Sequence, residues 1–168
     1  MTGPRSAMFI LVGLAGLLIV IAAFSGWQGA TRLANRGDDT ADAEAAARAF
    51  VEAYGSFDYR EPEAYRARLL RMTTGVVQAA FRDSGTDPVA LGQRRTSRTT
   101  VVSSSVSALS DDAAAVSVTA EQMRQGTDPE SGEPIEEHVL QRINCRLARQ
   151  DGQWLVAEFR LQSEEPLQ

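Results

Sequence analysis

Residues 135–162, IEEHVLQRINCRLARQDGQWLVAEFRLQ, decide the fold of this chain. Apolar and polar side chains alternate over the first part of this stretch and again over the last part, as they do in half-buried strands. Between the two parts lies Asp151-Gly152, a dipeptide that favours the tight turn of a β-hairpin. The stretch therefore predicts two long antiparallel strands that share one apolar face and one polar face.

The alternation also assigns side chains to the two faces of this hairpin. His138, Arg142 and Arg146 share the polar parity of the first strand, and Glu158 and Arg160 are predicted to point outward from the second. The side chains predicted to face the core are Ile135, Val139, Ile143, Cys145 and Leu147 on the first strand, and Leu155, Ala157, Phe159 and Leu161 on the second.

Two further strands are predicted upstream of the hairpin. Residues 97–109 and 113–123 also have a period of two, and the sequence Ser-Asp-Asp at 110–112 separates them as a turn. A long polar loop at 124–134 then leads into the hairpin. Because each strand follows its neighbour through a turn or loop, the four strands are expected to form an antiparallel meander.

Helices are predicted before the strands. Apolar side chains in residues 43–54 follow the 3.6-residue period of an amphipathic helix. A second helix is expected to begin near Pro62, a third near Thr73 or Thr74, and a brief helical turn at Pro88. Three helices packed on a four-stranded antiparallel sheet give an α+β fold.

An apolar segment precedes this domain. Ala7 to Trp27 contains 21 residues without a charge, close to the length that crosses a bilayer. We expect it to anchor the chain in the cell membrane, with the domain outside the cytoplasm. A signal peptide cleaved after Ser25 is the alternative. The predicted organisation is a cytoplasmic tail (1–6), a transmembrane anchor (7–27), a linker (28–40), an extracytoplasmic α+β domain (41–162) and a frayed tail (163–168).

Composition excludes several classes of protein. The formal charge is −5, and all 17 basic residues are Arg. No segment is basic enough to predict binding to nucleic acid. With one cysteine, Cys145, the chain can form neither an internal disulfide nor a cysteine-rich zinc site.

The residues that usually carry catalysis are few and unfavourably placed. His138 is the only histidine, and its parity predicts a solvated position. Cys145 lies on the apolar parity and is expected to be a buried, inert thiol. The loop carboxylates Asp128, Glu130 and Glu133 lack the spacing of a calcium loop. We therefore expect no catalytic residues, no metal and no cofactor.

Two groups of residues are candidates for binding. Arg94, Arg95 and Arg98 form the densest basic cluster, which is either a solvated face or a surface for an acidic partner or lipid head groups. The second group comprises the aromatic residues that would line a cavity between helices and sheet: Phe50, Tyr54, Tyr65, Phe81 and Phe159.

Three segments carry a resemblance to a known group of proteins. They are the N-terminal apolar run, the sequence SFDYR at 56–60 within the stretch 47–75, and the ending DGQWLVAEFRL at 151–161. In these the chain resembles actinobacterial membrane-anchored proteins with a nuclear-transport-factor-2-like (cystatin-like) extracytoplasmic domain. That group includes the periplasmic-domain subunits of conjugative type IV secretion systems and Mce-associated membrane proteins.

The resemblance implies a role in assembly rather than in catalysis. It suggests an accessory or scaffold subunit of a secretion or conjugation machine or of an Mce-type lipid transporter, with the membrane, other envelope subunits and a second copy of the chain as partners. The short cytoplasmic tail departs from the Mce-associated pattern. A module that binds a small molecule or lipid in a cone-shaped cavity is the alternative. An isomerase or dehydratase would require an inward-facing Asp or His.

Overall fold

The computed structural model describes residues 37–167. The chain separates into two units, residues 1–39 and 40–168, and the second contains the α+β domain. The elements in chain order are α1 (37–55), β1 (Phe57–Asp58), α2 (Pro62–Met72), α3 (Gly75–Asp83), α4 (Pro88–Gly92), β2 (Thr96–Leu109), β3 (Ala113–Thr127), β4 (Pro134–Gln150) and β5 (Gln153–Pro166).

The strands form one antiparallel sheet in the order β1-β2-β3-β4-β5. The predicted α+β meander is therefore confirmed, with β1 as an additional fifth strand. Phe57 and Asp58 of β1 pair with Ser97 and Thr96 of β2. Two residues are too few to show a period of two, so the sequence pattern gives no indication of this strand.

A β-bulge in β5 changes which of its side chains face the core. The ladder between β4 and β5 skips Ala157, and an extra residue of this kind reverses the alternation. Trp154 and Val156 are buried before the bulge, and Phe159 packs against the core after it. The prediction that Leu155 faces the core together with Ala157 is therefore wrong, whereas Phe159 lies on the predicted side.

The end of the chain is more regular than its polar sequence indicates. β5 pairs with β4 as far as Pro166, and the Leu167 N–H donates a hydrogen bond to the His138 carbonyl oxygen at 2.8 Å. The predicted frayed tail at 163–168 is thus wrong for residues 163–166. Backbone pairing to the long strand β4 holds them, because ladder hydrogen bonds do not require apolar side chains.

The core forms where α1 packs against the inner face of the sheet. Ala43, Ala47, Phe50 and Val51 of α1 have no solvent-exposed surface. The predicted amphipathic helix is therefore present, although it already begins within the predicted linker. The sheet contributes the buried side chains of Val101, Ala114, Val116, Val118, Ala120, Ile143, Cys145, Leu147, Trp154 and Val156.

Gly55 ends α1 at the point of closest approach to the sheet. Its carbonyl oxygen accepts hydrogen bonds from Ser97 Oγ at 2.8 Å and from Gln122 Nε2 at 2.7 Å. A Cβ atom at this position would lie 2.0 Å from Thr99 Oγ1 and 2.7 Å from Thr99 Cβ. The absence of a side chain therefore lets the helix end against strands β2 and β3.

The predicted membrane anchor at 7–27 lies outside the described residues, as do the predicted tail at 1–6 and most of the linker. Over residues 37–167, none of the helices combines the length and apolar character needed to span a bilayer.

We expect Gly55→Ala to lower the free energy of unfolding by about 1–3 kcal/mol, the usual cost of overpacking a tight contact. The cause is the overlap between the new Cβ atom and the side chain of Thr99. Urea unfolding followed by circular dichroism measures the change. Gly92→Ala is the matched control, because a Cβ atom at Gly92 meets nothing within 4 Å. Equal stability of the two variants would contradict the steric argument.

Candidate functional site

A cavity of about 490 Å³ lies between the helices and the inner face of the sheet. Side chains from α1, β1, α2, α3, α4 and all four long strands contribute to its wall. The volume falls within the range usual for small-molecule pockets. One wall is aromatic, and another carries a cluster of polar side chains.

The aromatic wall is built from Tyr54, Phe81 and Phe159. The Tyr54 ring meets the Phe159 ring edge-on with centroids 4.7 Å apart, and the Phe81 and Phe159 rings are parallel with centroids 6.3 Å apart. Tyr65 lines the same cavity, and its hydroxyl donates a hydrogen bond to the Tyr54 carbonyl oxygen at 2.8 Å. Four of the five predicted lining residues therefore meet at one site.

Phe50, the fifth predicted lining residue, does not reach the cavity. It has no exposed surface and packs beneath the wall, with its ring centroid 5.1 Å from that of Phe159. The 3.6-residue period of α1 places Phe50 and Tyr54 on the same side of the helix. Tertiary contacts bury Phe50 completely but leave Tyr54 partly exposed. Phe50 therefore supports the aromatic wall from behind.

The polar cluster lines another part of the cavity wall and consists of Gln122, Arg124, Gln141 and Glu164. Gln122 Oε1 accepts hydrogen bonds from Arg124 Nε at 2.6 Å and from Gln141 Nε2 at 3.2 Å. Glu164 accepts from both terminal nitrogens of Arg124, at 3.0 and 2.7 Å, and from Gln141 Nε2 at 2.6 Å. The four side chains thus satisfy one another within the wall.

This cluster was not predicted from the sequence, although two of its residues interrupt a recognisable sequence pattern. Gln122 and Gln141 fall on the inward parity of their strands, where the neighbouring positions are apolar, and both are buried. Such a break in an apolar alternation can be recognised in advance. The position of Glu164 could not be recognised from the sequence, because the β5 ladder skips Gln162 and so brings Glu164 opposite Gln141.

The Arg124 guanidinium of the cluster pairs with Glu164 at 2.7 Å and also with Glu137, outside the cluster, at 3.4 Å. The hydrogen bonds from the Arg124 guanidinium lower the pKa of the Glu164 carboxyl, and the same contact raises the pKa of Arg124. Both groups therefore stay ionised and paired around neutral pH. Their arrangement fixes the end of β5 to β3 and leaves neither group available as a proton carrier.

The predicted basic cluster is divided between different parts of the surface. Arg95 lines the cavity, and Arg98 lines an adjoining groove of about 800 Å³ that also contains Met123 and His138. Arg94 is exposed and has a φ of 50°, which turns the chain between α4 and β2. The structure therefore does not bring the three arginines together as one face.

His138 and Cys145 lie where their parities place them. His138 is on the outer face, with Nε2 3.8 Å from Glu121 Oε2. Cys145 is 1% exposed, and burial raises the pKa of its thiol to about 12. The thiol is consequently protonated and shielded at neutral pH.

The predicted loop at 124–134 is shorter in the structure, because residues 124–127 extend β3 and Pro134 begins β4. The carboxylates of the remaining loop, 128–133, include one that stabilises the turn. Asp128 Oδ1 accepts backbone hydrogen bonds from Glu130 and Ser131, both at 2.8 Å, and these bonds lower the pKa of the Asp128 carboxyl. Within residues 37–167 there is no group of three or more His, Cys, Asp or Glu side chains that could hold a metal ion.

We expect Glu164→Gln to lower the free energy of unfolding at pH 7 by about 1 kcal/mol, as for a partly exposed ion pair. Because the folded pKa of Glu164 lies below its ordinary value of 4.5, the stabilisation is complete above pH 4.5. It is lost as the pH falls through the lower, folded pKa. Urea unfolding of both proteins between pH 7 and pH 3 should therefore show the difference disappearing in acid.

Glu165→Gln is the control for this measurement, since it removes the adjacent carboxylate and leaves the bonds of Glu164 in place. It should leave the stability unchanged within about 0.5 kcal/mol at every pH. A difference between Glu164→Gln and the wild type that persisted undiminished at pH 3 would rule out the ion pair as its cause.

Comparison with known proteins identifies the fold. No family model matches the chain, and no curated protein matches its sequence. Among solved structures, the chain is similar to an Ntf2-like protein involved in plasmid conjugation, with a TM-score of 0.52, 15% identity and 72% of this chain covered. The α+β domain therefore has a nuclear-transport-factor-2-like fold.

Two further structures are similar over most of their length. The VirB8 protein of Agrobacterium tumefaciens has a TM-score of 0.53 and 9% identity, with 74% of this chain and 91% of that chain covered. An IcmL-like type IV secretion system protein of Legionella pneumophila has a TM-score of 0.53 and 11% identity, with 77% and 94% covered. The match to the conjugation protein spans 48% of that protein.

Proposed function

We propose that this chain is a non-enzymatic, membrane-anchored subunit of an envelope-spanning secretion or conjugation machine. One observation carries the proposal: structures of a type IV secretion protein and a plasmid-conjugation protein share its fold. In the secretion protein the shared region is 94% of the chain, so that the likeness extends over the whole domain. A second branch of the proposal, association with an Mce-type lipid transporter, rests on the sequence resemblance alone.

The chemistry of the domain supports a role without catalysis. The two ionised groups of the polar cluster, Arg124 and Glu164, form an ion pair. The thiol of Cys145 is buried, and His138 points away from the cavity. An isomerase or dehydratase reaction requires a base in the cavity. Asp87 does line the cavity, but its carboxylate caps α4 by accepting the Val89 N–H.

The apolar segment 7–27 would hold the domain at the outer surface of the cell membrane. A partner subunit bound to the same membrane then meets the domain at a raised effective concentration, so that weak contacts suffice for assembly. Other envelope subunits and a second copy of this chain are the partners that this arrangement favours. Neither a cofactor nor nucleic acid has a role in it.

Crosslinking in native membranes tests the proposed assembly. Full-length tagged protein, crosslinked and purified for mass spectrometry, should recover ATPase or channel subunits of a secretion machine. A tagged chain ending at residue 40 is the matched control, because it keeps the apolar segment and lacks the domain. Recovery of Mce proteins would favour the lipid-transport branch. Equal recovery of the same subunits by the truncated control would contradict a role for the domain in binding them.

The proposed topology has its own test. In a Cys145→Ala background, Glu130→Cys places a thiol in an exposed loop, and a membrane-impermeant maleimide should label it in intact cells. Thr2→Cys, in the predicted cytoplasmic tail, should react only after the cells are permeabilised. The wild-type protein should remain unlabelled, because Cys145 is buried and its thiol is protonated. Labelling of Thr2→Cys but not Glu130→Cys in intact cells would reverse the topology.

A ligand-binding module is the second candidate function. The observation that favours it is the cavity of about 490 Å³, which the aromatic side chains line without filling. Scaffold and ligand-binding roles use different surfaces of the domain, since assembly would involve its exterior.

A further inference from the structure

The cavity wall contains a cation that no described carboxylate neutralises. Arg95 lies immediately before β2 and is partly buried. Its guanidinium donates a hydrogen bond to the side-chain oxygen Oε1 of Gln93, which is a neutral amide. None of the carboxylates in residues 37–167 lies within 4.0 Å of the Arg95 guanidinium.

The other two arginines of the wall are paired. Arg124 binds Glu164 through two nitrogens, as described above. Arg66 binds Glu63 at 2.6 Å and also donates to the Ser84 carbonyl oxygen at 3.3 Å. Arg95 is therefore the arginine of the cavity that remains available to pair with an anionic ligand.

The acids of the wall are also engaged. Glu164 is held by Arg124, and Asp87 accepts the backbone N–H of Val89 at 2.9 Å at the start of α4. Asp87 is therefore already used as a helix cap. Among the arginines of the wall, Arg95 keeps donors without a charged partner in residues 37–167, and the aromatic rings provide apolar surface in the same cavity.

The aromatic wall provides a surface against which the apolar part of a ligand can pack. Tyr54, Phe81 and Phe159 present rings to the cavity, and Leu161 adds an aliphatic side chain that is 53% exposed. Covering this surface with a ligand would remove apolar area from water, which is the main source of affinity in such pockets.

The contacts of Glu164 show that hydrogen-bond donors in this cavity bind a carboxylate. Its planar carboxylate is bound by two nitrogens of Arg124 and by the Gln141 amide. A carboxylate can accept two parallel hydrogen bonds from one guanidinium. Arg95 supplies a second guanidinium in this cavity, and no carboxylate in the part of the chain that the structure describes is bound to it.

We propose that the cavity binds a small apolar carboxylic acid, whose carboxylate is held by Arg95 and whose body lies against Tyr54, Phe81 and Phe159. This inference rests on the second candidate function, ligand binding in the cavity, and adds the chemical class of the ligand. It is independent of the proposed assembly with envelope subunits.

Isothermal titration calorimetry of the full-length protein in non-ionic detergent tests the proposal with two probes of similar size. The probes are 1-naphthoate and the neutral 1-naphthalenemethanol, each corrected for heat in detergent alone. We expect naphthoate to bind at least tenfold more tightly. Arg95→Gln should remove this preference and leave the affinity for the neutral probe within twofold of the wild type, because the aromatic wall is unchanged.

Arg98→Gln is the matched control. It removes the same charge three residues further along the chain, at a position that lines the adjoining groove and not the cavity, and should preserve the tenfold preference. Equal binding of both probes by the wild type would overturn the ligand class while leaving the cavity as a binding site. Loss of the preference in Arg98→Gln as well as in Arg95→Gln would also overturn it, because the effect would then follow net charge. Absence of binding by either probe would reject the ligand-binding function itself.

Discussion

The hydrogen bonds to the Gly55 carbonyl oxygen are the contact on which the domain and its cavity both depend. Ser97 and Gln122 donate these bonds and hold the end of α1 against the sheet. Gln122 then accepts from Arg124 and Gln141, so the same contact continues into the polar wall of the cavity. Because a buried amide must have its partners, this chain of bonds fixes the distance between helix and sheet.

Beyond this contact, the shape of the cavity follows from irregularities in β5. One skipped residue, Ala157, places Trp154 and Val156 in the core and Phe159 in the aromatic wall. A second skipped residue, Gln162, turns the next part of the strand so that Glu164 reaches Arg124. Bulges increase local twist and bend a strand. A regular strand would keep one parity throughout, so it could not turn Phe159 inward together with Trp154, Val156 and Glu164.

Charged side chains are distributed differently inside the cavity and on the exterior of the domain. Arg66, Arg124 and Glu164 of the cavity wall are paired, and the exposed Arg98 lines a neighbouring groove. Arg95 alone among the cavity arginines has no carboxylate partner in residues 37–167. A scaffold needs an exterior that binds other subunits, whereas a binding module needs an interior that is open and selective. The proposed assembly would use the exterior of the domain and the proposed ligand its interior, so the two proposals do not compete for the same residues.

Sequence alone determined the order of helices and strands, the hairpin at Asp151-Gly152, and the solvated and buried positions of His138 and Cys145. These features depend on local periodicity and turn chemistry, which neighbouring residues encode. It also selected four of the five aromatic residues placed at the cavity. Only the tertiary structure decided the two-residue strand β1, the continuation of β5 to Pro166 and the inward position of Glu164. These depend on pairing between distant strands and on skipped residues in a ladder, and neither leaves a periodic pattern in the chain.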